Sequence, residues 1–129
     1  MSPHISLGVP QILLVDDSED TCELMSMALA GEGFTTAAAH SGAQALEYLR
    51  RQTAPLCMLI DYDMPDMDGL AVCEAVRGRY GDDIVVIAIT DSFDVNDLRV
   101  NALFALADHH FFKPVDWKRL MIVLSALKD

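Results

Sequence analysis

The amino-acid sequence predicts a three-layer, doubly wound α/β fold, (βα)5, with a central parallel sheet of five strands. Two observations predict it. Short apolar runs alternate with helical patterns five times along the chain. The apolar runs are continuous, which is typical of parallel strands covered by helices on both faces. Because the connections between such strands are right-handed, the helices are expected to divide between the two faces of the sheet.

The first part of the chain holds two of these strand–helix units. Residues 1–10 are predicted to be a loose leader, and residues 11–129 one domain, a length suited to a single core. The first helix ends before Gly31 and Gly33, and Ser41 caps the second. The predicted strands are 11–15 and 34–39, and the predicted helices 19–30 and 41–51.

Three more units complete the sheet. The third strand is bounded by Pro55 and Asp61, and the fourth is rich in β-branched residues and ends at Thr90. Asp68 is the predicted cap of the third helix, whereas Asp66 is predicted to be a solvated loop residue. The predicted strands are 56–60, 83–89 and 109–112, and the predicted helices 70–79, 95–107 and 116 almost to the end.

Composition argues against several classes of protein. The 20 acidic and 9 basic residues give a formal net charge of −11. Because nucleic-acid affinity depends on Lys and Arg neutralising phosphates, direct nucleic-acid binding is not expected. No apolar run approaches the ~20 residues of a membrane helix, and the start, MSPHISLGVP, lacks the features of a signal peptide. Three cysteines in apolar stretches (Cys22, Cys57, Cys73) predict buried thiols in a reducing cytoplasm.

Polar residues follow four of the five predicted strands. They are Asp16 with Asp17, then Asp61, Thr90 and Lys113. Because ligands bind beyond the carboxyl ends of parallel strands, these side chains are expected to converge. Three converging carboxylates repel one another unless a cation lies between them, and Mg²⁺ is the cation that favours oxygen ligands. Two metal charges and one ammonium would balance the carboxylates, a pocket suited to an incoming phosphoryl group.

The segments ILLVDD, DYDMPDMDG, VVIAIT and FFKP, in this order, closely resemble the receiver domain of two-component response regulators. The resemblance covers residues 11 to 128 and implies the flavodoxin-like strand order 2-1-3-4-5. It also implies that a histidine kinase or phosphotransfer protein donates a phosphoryl group from phosphohistidine. Such a receiver catalyses only its own phosphorylation and dephosphorylation and is not otherwise an enzyme.

The resemblance implies a role for each matched residue. Asp61 resembles the phosphoacceptor, and Thr90 and Lys113 resemble the residues that contact the acyl phosphate. The Lys113–Pro114 bond is often cis in the family, and a cis X-Pro bond costs only ~0.5–1 kcal/mol. The implied Mg²⁺ ligands are Asp17 directly, Asp16 through a water, Asp61, and the main-chain carbonyl of Asp63.

Four positions differ from the family pattern or tune it. Asp91 follows Thr90 where a small residue is usual; its carboxylate either points to solvent or opposes an incoming phosphoryl group. His110 stands where a Tyr or Phe switch is usual, and is either a pH-sensitive switch or a half-exposed histidine. Asp63 and Ser92 occupy places that tune the lifetime of the phosphorylated state in the family.

Apolar residues lie on two sides of the fourth and the last predicted helix. Only one side of each helix can pack on the sheet, so the remainder predicts an exposed apolar surface. A dimer or partner interface across the fourth helix, fifth strand and fifth helix is the corresponding expectation.

Two other interpretations remain open, and a third is excluded. A haloacid-dehalogenase-type phosphatase would use Asp61 and Asp63 as its DxD pair, but Met64-Pro65 does not fit that motif. A degenerate receiver would bind a partner without phosphorylation, on the strength of Asp91 and His110. A calcium loop starting at Asp61 fails, because Pro65 stands where a ligand is needed and Asp66 where glycine is needed.

Overall fold

A computed structural model describes residues 10–91, 94 and 96–127 of the chain. Residues 1–9 of the predicted leader, and Ser92, lie outside these described residues. Five strands form one parallel sheet in the order β2-β1-β3-β4-β5, which confirms the predicted topology. The strands are β1 (Ile12–Val15), β2 (Thr36–Ala39), β3 (Cys57–Asp61), β4 (Val85–Thr90) and β5 (His109–Phe112). The helices are α1 (Glu19–Gly31), α2 (Gly42–Arg51), α3 (Gly69–Tyr80), α4 (Leu98–Leu106) and α5 (Trp117–Leu127).

The core consists of two hydrophobic clusters, one on each face of the sheet. Successive residues of a strand point to opposite faces, so Met58 joins one cluster and Leu59 the other. Helices α2, α3 and α4 contribute to the first cluster, and helices α1 and α5 to the second. The central strands are buried on both sides, as their continuous apolar sequences predicted.

The three cysteines are free thiols and are buried in different layers of the fold. Cys22 lies in α1, Cys57 in β3 and Cys73 in α3. Burial raises the pKa of the Cys22 and Cys73 thiols to about 11, and it also raises the pKa of Cys57. The prediction of buried thiols is therefore confirmed.

The boundaries differ from the sequence predictions where local hydrogen bonds decide them. Helix α4 begins at Leu98 because the carboxylate of Asp97 accepts the N–H groups of Arg99 and Val100. Val95, where this helix was predicted to begin, lies outside the described residues. Strand β3 includes Asp61, which pairs with Ile89 of β4. The last residue of a buried strand therefore carries the candidate nucleophile.

Helices α4 and α5 each pack on the sheet by one face. Val100 and Leu103 of α4 are buried, whereas Leu98 is 80% exposed. Leu120 of α5 is fully buried, whereas Ile122 is 72% exposed. Exposed apolar side chains also occur on α1, so they do not single out one surface. Within the described part of the chain, none of the helices has the length and apolar character needed to span a lipid bilayer.

The guanidinium of Arg77 ties the C-terminal end of α3 to the neighbouring segments. It donates to the carbonyls of Leu106, Gly81 and Ile84 and to the carboxylate of Asp108, at 2.7–3.1 Å. Only 12% of the Arg77 side chain is exposed. This network lies at the end of the sheet opposite the converging polar residues.

Candidate functional site

Three carboxylates converge beyond the carboxyl ends of β1 and β3. Asp16, Asp17 and Asp61 each place one carboxylate oxygen within 4.8 Å of the others. Asp16 is half-buried, and its Oδ1 accepts the N–H of Ser18 at 2.9 Å, which fixes the turn leading into α1. The parallel sheet therefore brings together residues that are about 45 positions apart in sequence.

Asp61 is the most enclosed of the three carboxylates, with 4% of the residue exposed. Its Oδ1 accepts the N–H of Asp63 at 3.2 Å, and its Oδ2 lies 3.4 Å from Nζ of Lys113. The pKa of Asp61 is raised to about 6, chiefly by burial and also by the charge of Asp16, while the Asp63 N–H and Lys113 act to lower it. The buried carboxylate is thus short of positive charge.

Lys113 lies between two carboxylates. Its Nζ is 3.4 Å from Oδ2 of Asp61 and 3.4 Å from Oδ1 of Asp91. Partial burial lowers the pKa of Lys113, but the carboxylates, led by Asp61, outweigh burial, so the net pKa is raised. Asp91 is exposed, as one hypothesis held, yet its carboxylate also forms an ion pair with Lys113 of the site.

Thr90 completes the ring of strand-end residues. It is the last residue of β4 and is 2% exposed. Its main-chain carbonyl accepts the N–H of Lys113 at 2.9 Å, which aligns the ends of β4 and β5. The peptide bond between Lys113 and Pro114 is cis, as the resemblance implied.

The side chains present fit a Mg²⁺ ion. Carboxylate oxygens are the ligands that Mg²⁺ prefers in proteins, and three of them lie within reach of one position. A divalent cation would also supply the positive charge that Asp61 lacks. The side chain of Asp63 is exposed, and a ligand role for its carbonyl stays a prediction.

His110 lies on the exposed side of β5. Its ring stacks on Phe104 of α4, with centroids 4.1 Å apart and planes at 11°, and meets the edge of Phe112. His110 is exposed, and thus more accessible than the half-exposed histidine that the sequence predicted. Its role as a switch stays a prediction.

Sequence reasoning missed two bridges made by the loop after β3. The carboxylate of Asp66 accepts the N–H groups of Gly42 and Ala43 at the N-terminus of α2, so Asp66 is not merely solvated. These hydrogen bonds lower its pKa. Asp68 caps α3, as predicted, and its carboxylate also forms a bidentate ion pair with Arg99 of α4, at 2.6 and 2.8 Å.

Gly69 closes the same loop against the strand that carries Asp61. Its N–H donates to the carbonyl of Tyr62 at 3.0 Å. A Cβ at this position would lie 2.8 Å from Cα of Tyr62 and 3.0 Å from the carbonyl oxygen of Asp61. Glycine is therefore required by a close approach of backbones next to the candidate nucleophile.

Comparison with known proteins gives a consistent family. A family model described as the response regulator receiver domain matches residues 12–125. The DNA-binding response regulator MtrA of Mycolicibacterium paratuberculosis is 38% identical over 117 residues, which are 90% of this chain and 50% of that protein. The response regulator MprA of Mycobacterium ulcerans is 35% identical over 117 residues, 91% of this chain and 49% of that protein. The chain thus spans about half the length of these relatives.

Solved structures agree on the fold. A response regulator receiver protein from Pseudomonas putida superposes with a TM-score of 0.82 at 23% identity, covering 92% of this chain and 98% of that one. The response regulator TrrA from Thermotoga maritima, solved in complex with Mg²⁺-BeF, superposes with a TM-score of 0.79 at 26% identity, covering 92% and 99%.

The partner prediction, which excluded nucleic acid, is wrong. Curated relatives named as DNA-binding response regulators overturn it. The exclusion rested on the net charge of −11, which describes only the residues of this chain. Charge on an acidic domain carries no information about a DNA-binding domain elsewhere in a longer protein. With its matched residues, relatives and fold in agreement, the chain belongs to the receiver domain family of two-component response regulators.

Proposed function

We propose that this domain accepts a phosphoryl group on Asp61 from a phosphohistidine donor and holds it with Mg²⁺. The observation that carries the proposal is the set of charged groups around the buried carboxylate of Asp61. The carboxylate is buried, two other carboxylates lie within 4.8 Å, and an ammonium lies 3.4 Å away. Such a pocket binds a cation and an anionic group together, which phosphoryl transfer requires.

The transfer itself needs little covalent chemistry from the protein. Oδ2 of Asp61 attacks the phosphorus, the bond from phosphorus to the donor imidazole nitrogen breaks, and the imidazole leaves and takes up a proton. The N–H of Asp63 holds Oδ1 at 3.2 Å and so orients the carboxylate. When bound, Mg²⁺ supplies charge compensation between the carboxylates and the phosphoryl oxygens.

Lys113 and Thr90 stabilise the product. The ammonium of Lys113 already contacts Oδ2 of Asp61, so it can follow the negative charge onto the phosphoryl group. Thr90 ends the neighbouring strand, and under this proposal its hydroxyl donates a hydrogen bond to a phosphoryl oxygen. Aside from its own phosphorylation and dephosphorylation, the domain catalyses no reaction under this proposal.

We further propose that phosphorylation regulates an output that acts on DNA. This extension rests on relatives named as DNA-binding response regulators, of which this chain spans about half the length. The proposed setting is the cytoplasm, where free thiols such as the three buried here persist.

Intact mass spectrometry after incubation with acetyl phosphate and Mg²⁺ tests the proposal. We expect a gain of one phosphoryl group, which borohydride trapping and peptide mapping locate at Asp61. The gain disappears in Asp61→Asn and in the presence of a chelator. Asp83→Asn, which removes one carboxylate before β4 begins, is the matched control and keeps the gain.

An unmodified wild-type chain would contradict the proposal and favour the degenerate receiver, which binds a partner without phosphorylation. The ion pair between Lys113 and Asp91 is the observation that keeps this second candidate in view. Turnover of a generic phosphate ester would instead indicate a phosphatase.

A further inference from the structure

Lys113 is shared between two carboxylates of different character. Its Nζ lies 3.4 Å from both Asp61 Oδ2 and Asp91 Oδ1. The Asp61 side chain is 5% exposed, whereas the Asp91 side chain is 63% exposed. The ammonium therefore stands at the boundary between the buried site and solvent, with one partner on each side.

The position of Asp91 follows from the sheet. Strand β4 ends at Thr90, so the next residue stands at the rim of the pocket beside the end of β5. The N–H of Lys113 donates to the Thr90 carbonyl, which fixes the two segments side by side. Within the described part of the chain, Lys113 is the one basic side chain within ion-pair distance of Asp91.

Charge balance gives this arrangement a consequence. Phosphorylation would add negative charge at Asp61, and the Lys113 ammonium would then have to move toward Asp61 to balance that charge. Asp91 opposes this charge balance in two ways. Its carboxylate attracts the ammonium toward solvent, and its negative charge repels the phosphoryl group. Both effects weaken phosphoryl binding, and both depend on the charge of Asp91 alone.

We propose that Asp91 is a positioning residue that holds Lys113 partly away from Asp61 and thereby lowers the affinity of the site for a phosphoryl group. The inference rests on the proposed function, since it assumes that Asp61 is the phosphoacceptor. It assigns Asp91 a regulatory role through Lys113 and no contact with the reacting atoms.

Beryllofluoride, a phosphoryl mimic, provides the test. Its affinity for the full chain is measured by isothermal titration calorimetry at saturating Mg²⁺ for wild type, Asp91→Glu, Asp91→Asn and Asp91→Lys. An exposed ion pair corresponds to about a two- to fivefold change in an equilibrium constant. We expect Asp91→Asn to bind about two- to fivefold more tightly than wild type, Asp91→Lys more tightly still, and Asp91→Glu like wild type.

Two further measurements separate electrostatics from a structural effect. Raising the ionic strength from about 0.05 M to about 0.5 M shortens the Debye length and should shrink the differences among the variants. Asp83→Asn makes the same charge change about 20 Å away, at the other end of β4, and should leave the affinity unchanged.

The outcomes separate this inference from the proposed function. Equal affinities across the charge series, weaker binding by Asp91→Asn, or differences that persist at high salt would overturn the inference while leaving phosphorylation of Asp61 standing. A wild-type chain that binds no beryllofluoride would overturn the proposed function and this inference with it.

Discussion

Replacing Asp61 by Asn should stabilise the metal-free protein at neutral and alkaline pH. The carboxyl is buried, and its pKa is raised from the ordinary 3.8 to about 6. The folded chain therefore keeps this proton to a higher pH than the unfolded chain does. Between these two values the unfolded state ionises first, so the free energy of unfolding falls as pH rises, and the penalty is complete above pH 6.

The magnitude follows from the two pKa values. At roughly 1.4 kcal/mol per pH unit, the penalty on the wild type is about 3 kcal/mol at pH 8 and about half of that at pH 5. Asn has no ionisable group and escapes it, while its oxygen can still accept the N–H of Asp63. With an m-value near ~2 kcal/mol per M, the urea midpoint should rise by about 1.5 M at pH 8.

Urea unfolding with a chelator present, at pH 8 and pH 5, measures this difference. Asp83→Asn controls for the loss of one negative charge from a chain of net charge −11. Added Mg²⁺ should stabilise wild type more than Asp61→Asn, because only wild type offers the full set of three carboxylates. An Asn variant no more stable than wild type at pH 8, or a gain independent of pH, would refute the reasoning.

Three more substitutions test the loop beside the site and the network at the opposite end of the sheet. Gly69→Ala should destabilise the fold by about 1–3 kcal/mol and reduce phosphorylation of Asp61, because its Cβ would lie 2.8 Å from Cα of Tyr62; unchanged labelling would argue against this. Arg77→Met should cost about 2–4 kcal/mol in urea unfolding but leave beryllofluoride affinity intact; a lost affinity would contradict a purely structural role. Asp66→Ala should lower the melting temperature by freeing two N–H groups of α2, and an unchanged value would exclude that contribution.

The sequence was sufficient to predict the convergence of the site. Continuous apolar runs indicate parallel strands, and polar residues at the ends of parallel strands must meet at one edge. The convergence of Asp16, Asp61 and Lys113 follows from this rule, and the distances between their side chains agree with it.

The bridges around the site could not be predicted in the same way. Asp66 bonds to Gly42 and Ala43, more than 20 residues earlier, and no local pattern marks a carboxylate that serves a distant helix. The ion pair between Asp91 and Lys113 depends on the register of two neighbouring strands. By contrast, Asp97 immediately before α4 is an ordinary capping signal in the sequence, and it predicts the observed start of that helix at Leu98.

Because its three cysteines are buried in three different layers, this protein can report the local unfolding of each layer through the reactivity of its own thiols. One thiol is buried in the sheet, one in a helix on the first face and one in a helix on the second. Each is shielded from alkylating reagents until its own layer separates. Mass spectrometry after brief exposure to such a reagent would therefore time the exposure of each layer separately, without any introduced label. The order in which Cys22, Cys57 and Cys73 react would show which face of the sheet is uncovered first.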